Sequence, residues 1–303
     1  MASALASPTS VSLASKSAVR FEATKSFLFG GVAGFAGCLV GGVSGSFLMV
    51  PMLTSRGLIT RLSRPQAHAT SLVAVAATGI AGTVILADHV DYEAAATISV
   101  CGMMTARAGA MTASRLSPAL LRTSLGVFFL SAASIIPLNP YFFGNQKDIN
   151  NTVMVINSGQ SLLTRQRDVA SLALATTGSS TEESISQRFF VPAGIGGCSG
   201  FIAGLLGVGS GAVVVPALAL LTDKDYREIL GTSLCALVFP AVTGTVTHFA
   251  RGTLAMRVAP ALAIGASLGG LCGASLAKSS NEDDLKTLFS GWTAVLGVGA
   301  WLL

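Results

Sequence analysis

Charged side chains are scarce. Nineteen Lys and Arg with fourteen Asp and Glu make up 11% of the 303 residues, less than half the roughly 25% of a typical soluble domain. That excludes an ordinary water-soluble enzyme. The three histidines, His68, His89 and His248, are too few and too dispersed for a metal cluster. The five cysteines (Cys38, Cys101, Cys198, Cys235, Cys272) form no CxxC pair and sit among apolar and small residues. They are expected to be buried small hydrophobes, not metal ligands or disulfide partners. Aromatic residues reach 7% and interleave with no basic stripe, so the net charge of +5 does not indicate a nucleic-acid partner. HExxH, Walker A and GxSxG patterns are missing, which leaves no catalytic constellation and no ATP-driven pump. Gly207-Val208-Gly209-Ser210-Gly211 falls short of a dinucleotide fingerprint and lies in no βαβ unit, so no cofactor is expected.

What the chain has in abundance is apolar length. Hydrophobic residues make up 51% and the mean hydropathy is +0.68. Uncharged or nearly uncharged runs cover 26–55, 65–87, 94–114, 123–146, 189–222, 229–250, 258–277 and 287–303. Runs of about 20 residues suffice to cross a bilayer as helix. The expected fold class is therefore an all-α polytopic membrane protein. Residues 1–25 are rich in Ser and Ala, with Lys16, Arg20 and Lys25 against the single acid Glu22. That composition fits a transit peptide and equally a disordered cytoplasmic tail. Residues 26–138 and 189–303 form two apolar halves joined by a polar connector, 139–188, which is expected to be a surface loop.

The halves repeat. Gly42-Val43-Ser44-Gly45-Ser46-Phe47-Leu48-Met49-Val50-Pro51 aligns with Gly207-Val208-Gly209-Ser210-Gly211-Ala212-Val213-Val214-Val215-Pro216 at an offset of 165 residues. Ala69-Thr70-Ser71-Leu72 aligns with Gly231-Thr232-Ser233-Leu234, and Gly82-Thr83-Val84 with Gly244-Thr245-Val246, at an offset of 162. A duplicated membrane fold is the usual plan of a secondary transporter. Loop charge then favours a first segment in each half that enters and leaves on one face. On that topology one side carries 11 Lys/Arg and one acid, the other 8 Lys/Arg and 13 acids, whereas an all-spanning topology divides the basic residues almost evenly. Each half keeps three further crossings, an odd number, so the halves are expected to be inverted relative to one another. Gly, Ser and the donor-free Pro51 and Pro216 weaken helix where the break is expected.

Broken helices at membrane depth offer backbone amides and a positive helix end to anions. The expected substrate-binding residues are therefore Ser44, Gly45 and Ser46 in the first half with Gly207, Gly209, Ser210 and Gly211 in the second. The paired hydroxyls Thr70 and Ser71, and Thr232 and Ser233, join them, with back-bonding to their own helix as the alternative role. His248 is the candidate for a coupling proton, or else an interfacial residue in contact with water. Arg107, near a helix end and without a counterpart in the other half, is expected to snorkel. Isolated GxxxG pairs (Gly30/Gly34, Gly37/Gly41, Gly200/Gly204, Gly269/Gly273) are expected to serve close helix packing.

The Gly-rich run ending in Pro216, the Gly231-Thr232-Ser233-Leu234 stretch, and His248 with Gly252 four positions later together resemble the sulfite exporter TauE/SafE family of membrane permeases. The first half departs from the pattern: Ser44-Gly45-Ser46 stands for the glycine triplet, and Asp88-His89-Val90-Asp91 for the His/Gly element. The resemblance implies two homologous halves without a nucleotide-binding domain. It also implies a carrier for sulfite, sulfoacetate or related small organic or sulfur-containing anions, linked to a proton or ion gradient. The partners so expected are the lipid bilayer, a small anionic substrate and a proton or ion co-substrate. The alternative is a non-transporting membrane scaffold or assembly protein in which the glycines serve packing alone. The leader leaves a plastid or mitochondrial inner or envelope membrane and the plasma membrane as the candidate locations.

Overall fold

The described parts of the uncharged runs are mostly helical. The computed structural model describes residues 8–42, 62, 64–113, 115–116, 118–142, 189–205, 209–222 and 224–302. In chain order the described helices are α1 (Pro8–Leu39), α2 (Arg64–Ile85), α3 (Tyr92–Ala113), α4 (Pro118–Phe142), α5 (Phe189–Leu205), α6 (Gly211–Leu221), α7 (Tyr226–Ala250), α8 (Ala259–Ser279) and α9 (Glu282–Leu302). A 3-10 turn at Ala87–His89 links α2 to α3. Helix α1 begins ahead of Ser26, so the Ser/Ala-rich leader is helical from Pro8 onward. The first four residues of the expected connector belong to α4; residues 143–188 lie outside the described residues.

Helices α7 and α8, and Gln66–Ile85 within α2, are long and apolar enough to cross a membrane. Closing every main-chain bond inside the segment is what permits a lipid-exposed crossing. Large hydrophobics also face outward, among them Leu28, Val84, Met104, Val127, Phe190, Val246, Ile264 and Val295. Such a surface is unsuited to water and suited to acyl chains. The chain is an all-α, multi-pass integral membrane protein.

Small residues set how the helices approach. Helix α1 runs parallel to α8 with almost nothing between the backbones: a methyl on Gly30 would collide with the Leu262 carbonyl, and one on Gly34 with the Ala266 carbonyl. From the other side, methyls on Gly265, Gly269 and Gly273 would strike the carbonyls of Phe27, Gly31 and Phe35. Helix α5 lies parallel to α3 in the same manner, with Gly200 against Gly102 and Gly204 against Ala106. Thr105 Oγ1 donates to the Gly197 carbonyl across that seam (2.8 Å). Lipid tails are as apolar as the side chains, so close van der Waals contact is what holds such helices together. Helices α2 and α7 cross antiparallel, with Gly82 meeting Leu234 and Gly244 meeting Leu72. Gly297 of α9 rests against Phe129 and Leu130 of α4.

The expected burial of the cysteines holds for Cys38, while Cys101 and Cys235 are half-buried. Cys198 and Cys272 are exposed, contrary to expectation. Cys198 sits two residues from both Gly196 and Gly200, so when those glycines face α3 the thiol points outward, where a weakly polar group costs little.

The Gly37/Gly41 pair has a second role beside close packing, in which a methyl on Gly41 would collide with Val215. It forms the cap of α1: Gly41 takes φ +63° and Gly42 φ +88°, and the Gly42 amide donates to the Gly37 carbonyl (2.6 Å). This is a Schellman closure, which needs a left-handed residue that glycine alone adopts without strain. The spacing of His248 and Gly252 has the same origin. Gly252 has φ +66°, and the Thr253 amide donates to the His248 carbonyl (3.1 Å), ending α7.

Candidate anion site and the acidic end of the bundle

The end of α1 meets the start of α6. The Schellman turn carries the chain out of α1 at Gly41–Gly42, and Gly209 (φ +92°) leads into α6. A methyl on Gly211 would collide with the Gly41 carbonyl oxygen, and one on Gly42 with the Leu237 side chain. The same Gly41 carbonyl accepts from Ser233 Oγ (3.0 Å). Gly41, Gly211 and Ser233 thus converge on one oxygen, bringing α1, α6 and α7 together. The amides of Val213 and Val214 both donate to the Ser210 carbonyl, starting α6. Pro216 supplies no donor to the carbonyl one turn before it.

The four paired hydroxyls are fully buried. Thr232 Oγ1 accepts from the Asp91 amide (3.1 Å), tying the loop before α3 to α7. Thr70 Oγ1 accepts from the Ala255 amide (3.4 Å) and donates to the Gln66 carbonyl (2.7 Å). Ser71 Oγ donates to the His68 carbonyl (2.8 Å). Both roles weighed for these residues therefore occur: bonds back to their own helix, and bonds across the bundle. Of the expected residues, Gly211 and Ser233 meet at the Gly41 carbonyl, Gly209 and Ser210 directly precede Gly211, and Thr232 turns to the Asp91 amide. Thr70 and Ser71 lie toward the opposite end of the α2–α7 crossing. Ser44, Gly45, Ser46 and Gly207 lie outside the described residues.

His248 is half-buried at the end of α7, its Nδ1 3.0 Å from Thr253 Oγ1. Because Thr253 Oγ1 also donates to the His248 carbonyl (3.1 Å), its lone pairs are left to accept from Nδ1–H, and Nε2 becomes the basic nitrogen. The contact of Leu72 with Gly244 places His68 one turn before the first and His248 one turn after the second, at the same end. Arg107 is exposed on α3.

At the other end an ionic cluster was not evident from the sequence. Lys224, between α6 and α7, donates to Asp91 Oδ2 (2.6 Å) and to Glu228. Asp91 Oδ1 also accepts from the Ala94 amide (3.0 Å), capping α3. Burial pushes the Asp91 carboxyl up, but the Ala94 amide, the Lys224 ammonium and the Glu93 amide outweigh it and hold it below the ordinary carboxylate range. Burial likewise pulls Lys224 down, and the carboxylates of Asp91 and Glu228 outweigh that, holding it above its usual value. The Asp91 contribution to stability is complete above its unfolded pKa of about 3.9 and is lost as pH falls through the lowered folded value. The Lys224 contribution is complete below about 10.4 and is lost as pH rises through the raised folded value. In thermal unfolding of the purified protein, the stability difference between wild type and Asp91→Asn should therefore stay constant from about pH 5 to 9 and shrink toward pH 3. A difference that changes steadily across the neutral range contradicts this assignment.

The sulfite exporter TauE/SafE family matches residues 26–300. The chain is 27% identical over 255 residues to the probable membrane transporter protein YunE of Bacillus subtilis (strain 168), covering 82% of this chain and 86% of that protein. It is 30% identical over 92 residues to the probable membrane transporter protein YdhB of the same organism, covering 30% and 38% respectively. No solved structure matches the chain. With a match across nearly the whole membrane-embedded length, the chain belongs to the sulfite exporter TauE/SafE family and is a membrane transporter, not an enzyme.

Proposed function

We propose that the protein is a secondary carrier of small anions, with sulfite, sulfoacetate and related organosulfur or organic anions as its substrate class. Substrate sits where the broken segments of the two halves meet. It is held at the N-terminal end of α6 by backbone amides and the helix dipole, and by the hydroxyls of Ser210, Thr232 and Ser233. Ser44, Gly45, Ser46 and Gly207 complete the site, with Thr70 and Ser71 as its counterpart in the first half. His248 carries the coupling proton on Nε2. The observation that carries this reading is the convergence of the end of α1 and the start of α6 on the Gly41 carbonyl.

Access alternates by rocking one inverted half against the other. Reciprocal contacts support that architecture. Adding 162 to Gly82 and subtracting it from Leu234 yields Gly244 and Leu72, so the two contacts of the α2–α7 crossing exchange under the repeat. The pairing of α1 with α8 exchanges in the same way with that of α5 with α3. The bond from the Asp91 amide to Thr232 has a near counterpart in the bond to Thr70 from the Ala255 amide, two residues beyond the position equivalent to Asp91. A re-entrant second-half segment is supported too: α5 starts beside the start of α3, and the chain after α6 returns to Asp91 through Lys224.

Reconstitution tests the proposal directly. Purified protein in liposomes is expected to move sulfite or sulfoacetate well above empty vesicles, with rates that respond to an imposed proton gradient. A panel of small anions that all leak at the empty-vesicle rate identifies the scaffold alternative instead.

A further inference from the structure

We propose that Lys224, clasped between Asp91 and Glu228, is the latch that closes the transport pathway at the acid-rich end of the bundle and makes that closed state the resting one. The proposal rests on the two-half reading above. Asp91 belongs to the loop between α2 and α3 of the first half, whereas Lys224 directly follows the broken segment of the second. Opening this end by moving one half against the other has to separate them. The clasp is well fixed on both sides. Asp91 is held by its cap on Ala94 and by its amide bond to Thr232, and Gly231 lets the loop approach α7 so closely that a methyl there would sit 2.8 Å from the His89 carbonyl. The Lys224 and Asp91 side chains are 23% and 30% exposed, so the pair is partly withdrawn from water, where its attraction is screened less than that of a surface pair.

The opposite end lacks this clasp. Under the 162-residue offset, Lys224, Glu228 and Asp91 correspond to Leu62, Gln66 and Thr253, all uncharged. The hydroxyl-to-amide bond is kept at both ends, through Thr232 and through Thr70. Among the described residues the clasp positions carry an ion pair at one end only, which makes the two closed states unequal and the clasped end the more firmly shut. The nearby Lys278–Asp88 pair (2.9 Å) also crosses between halves, but the Asp88 side chain is 78% exposed, and such a pair contributes little.

Cys38 is a built-in reporter. It is fully buried one turn before the Gly41 break, its Sγ 3.6 Å from the Thr78 carbonyl oxygen. In protein whose other four cysteines are replaced by serine, its reaction with a membrane-impermeant methanethiosulfonate reads opening without any substrate. Lys224→Met keeps the aliphatic stem, and Asp91→Asn keeps the cap on α3. Each is expected to speed labelling by about tenfold, the population shift from losing roughly 1.4 kcal/mol of ion pairing. The double variant is expected to label no faster than either single one, because both remove the same bond, and Lys278→Met is expected to label like the parent. Parental labelling in both single variants, or an equal rise with Lys278→Met, overturns the latch. Since no anion enters this measurement, absence of flux in the reconstitution assay would count against the carrier reading and leave the latch result standing on its own.

Discussion

Leucine at both Gly209 and Gly211 is expected to abolish anion flux while the protein still reaches the membrane. Two separate physical obstacles combine. Gly209 has φ +92°, a backbone conformation that side-chain-bearing residues rarely adopt, costing about 1–2 kcal/mol. Gly211 has no room for a side chain, because even a methyl meets the Gly41 carbonyl. That oxygen is rigidly held by the α1 cap and by Ser233, so the strain cannot pass to a flexible side chain. The start of α6 must move away from α1, and the proposed site opens. Gly211→Ala, adding one methyl, is expected to retain a fraction of the flux and serves as the graded partner. Flux in liposomes measured beside membrane abundance checks both. Wild-type flux in the double variant would show that the two breaks do not form the site.

The second large effect is on assembly and needs no substrate. Gly194 and Gly200 lie on the same helix, α5, and differ in what surrounds them. A methyl on Gly194 meets nothing within 4 Å, whereas one on Gly200 would run into the Gly102 backbone and sit 2.5 Å from Thr105 Oγ1. Gly200→Ala is expected to destabilise the protein by about 1–3 kcal/mol, the usual cost of overpacking. Gly194→Ala is expected to be neutral or slightly stabilising, since alanine is the better helix former by roughly 1 kcal/mol. Thermal unfolding of the two variants in detergent provides the comparison. Equal stability would remove the α3–α5 seam from the list of contacts that hold the bundle together.

Much of this was legible in the sequence, for a local reason. Whether a segment faces lipid depends on its own apolar content, so α2, α7 and α8 could be anticipated from uncharged runs alone. An interruption was expected near Val208–Gly211, where Gly209 takes φ +92° just ahead of α6, because glycine and serine act on their own turn of backbone. The first-half interruption was expected near Ser44–Ser46, which lie outside the described residues; just before them α1 ends in a turn at Gly41–Gly42. The signal was present in the adjacent glycines, four and five residues after Gly37, which is Schellman spacing.

The glycines show where reading stops. Gly30/Gly34 and Gly37/Gly41 carry the same GxxxG pattern, yet the first packs against α8 and the second ends α1. Pattern alone cannot separate them, because the difference lies in whether another backbone arrives at that face. The hydroxyls behave alike: Thr232 and Ser233 were picked out by the repeat, but their partners, Asp91 and Gly41, are 141 and 192 residues away.

By itself the sequence determined that the chain is helical and membrane-embedded and that its helices weaken at defined glycines, since each property follows from side chains acting on adjacent backbone or on lipid. Only the tertiary structure decided that Gly211 meets the Gly41 carbonyl, that α1 lies on α8 while α5 lies on α3, and that Lys224 finds Asp91 across 133 residues of chain. Those pairings depend on shape and charge brought together through space, and no periodicity along the chain encodes them.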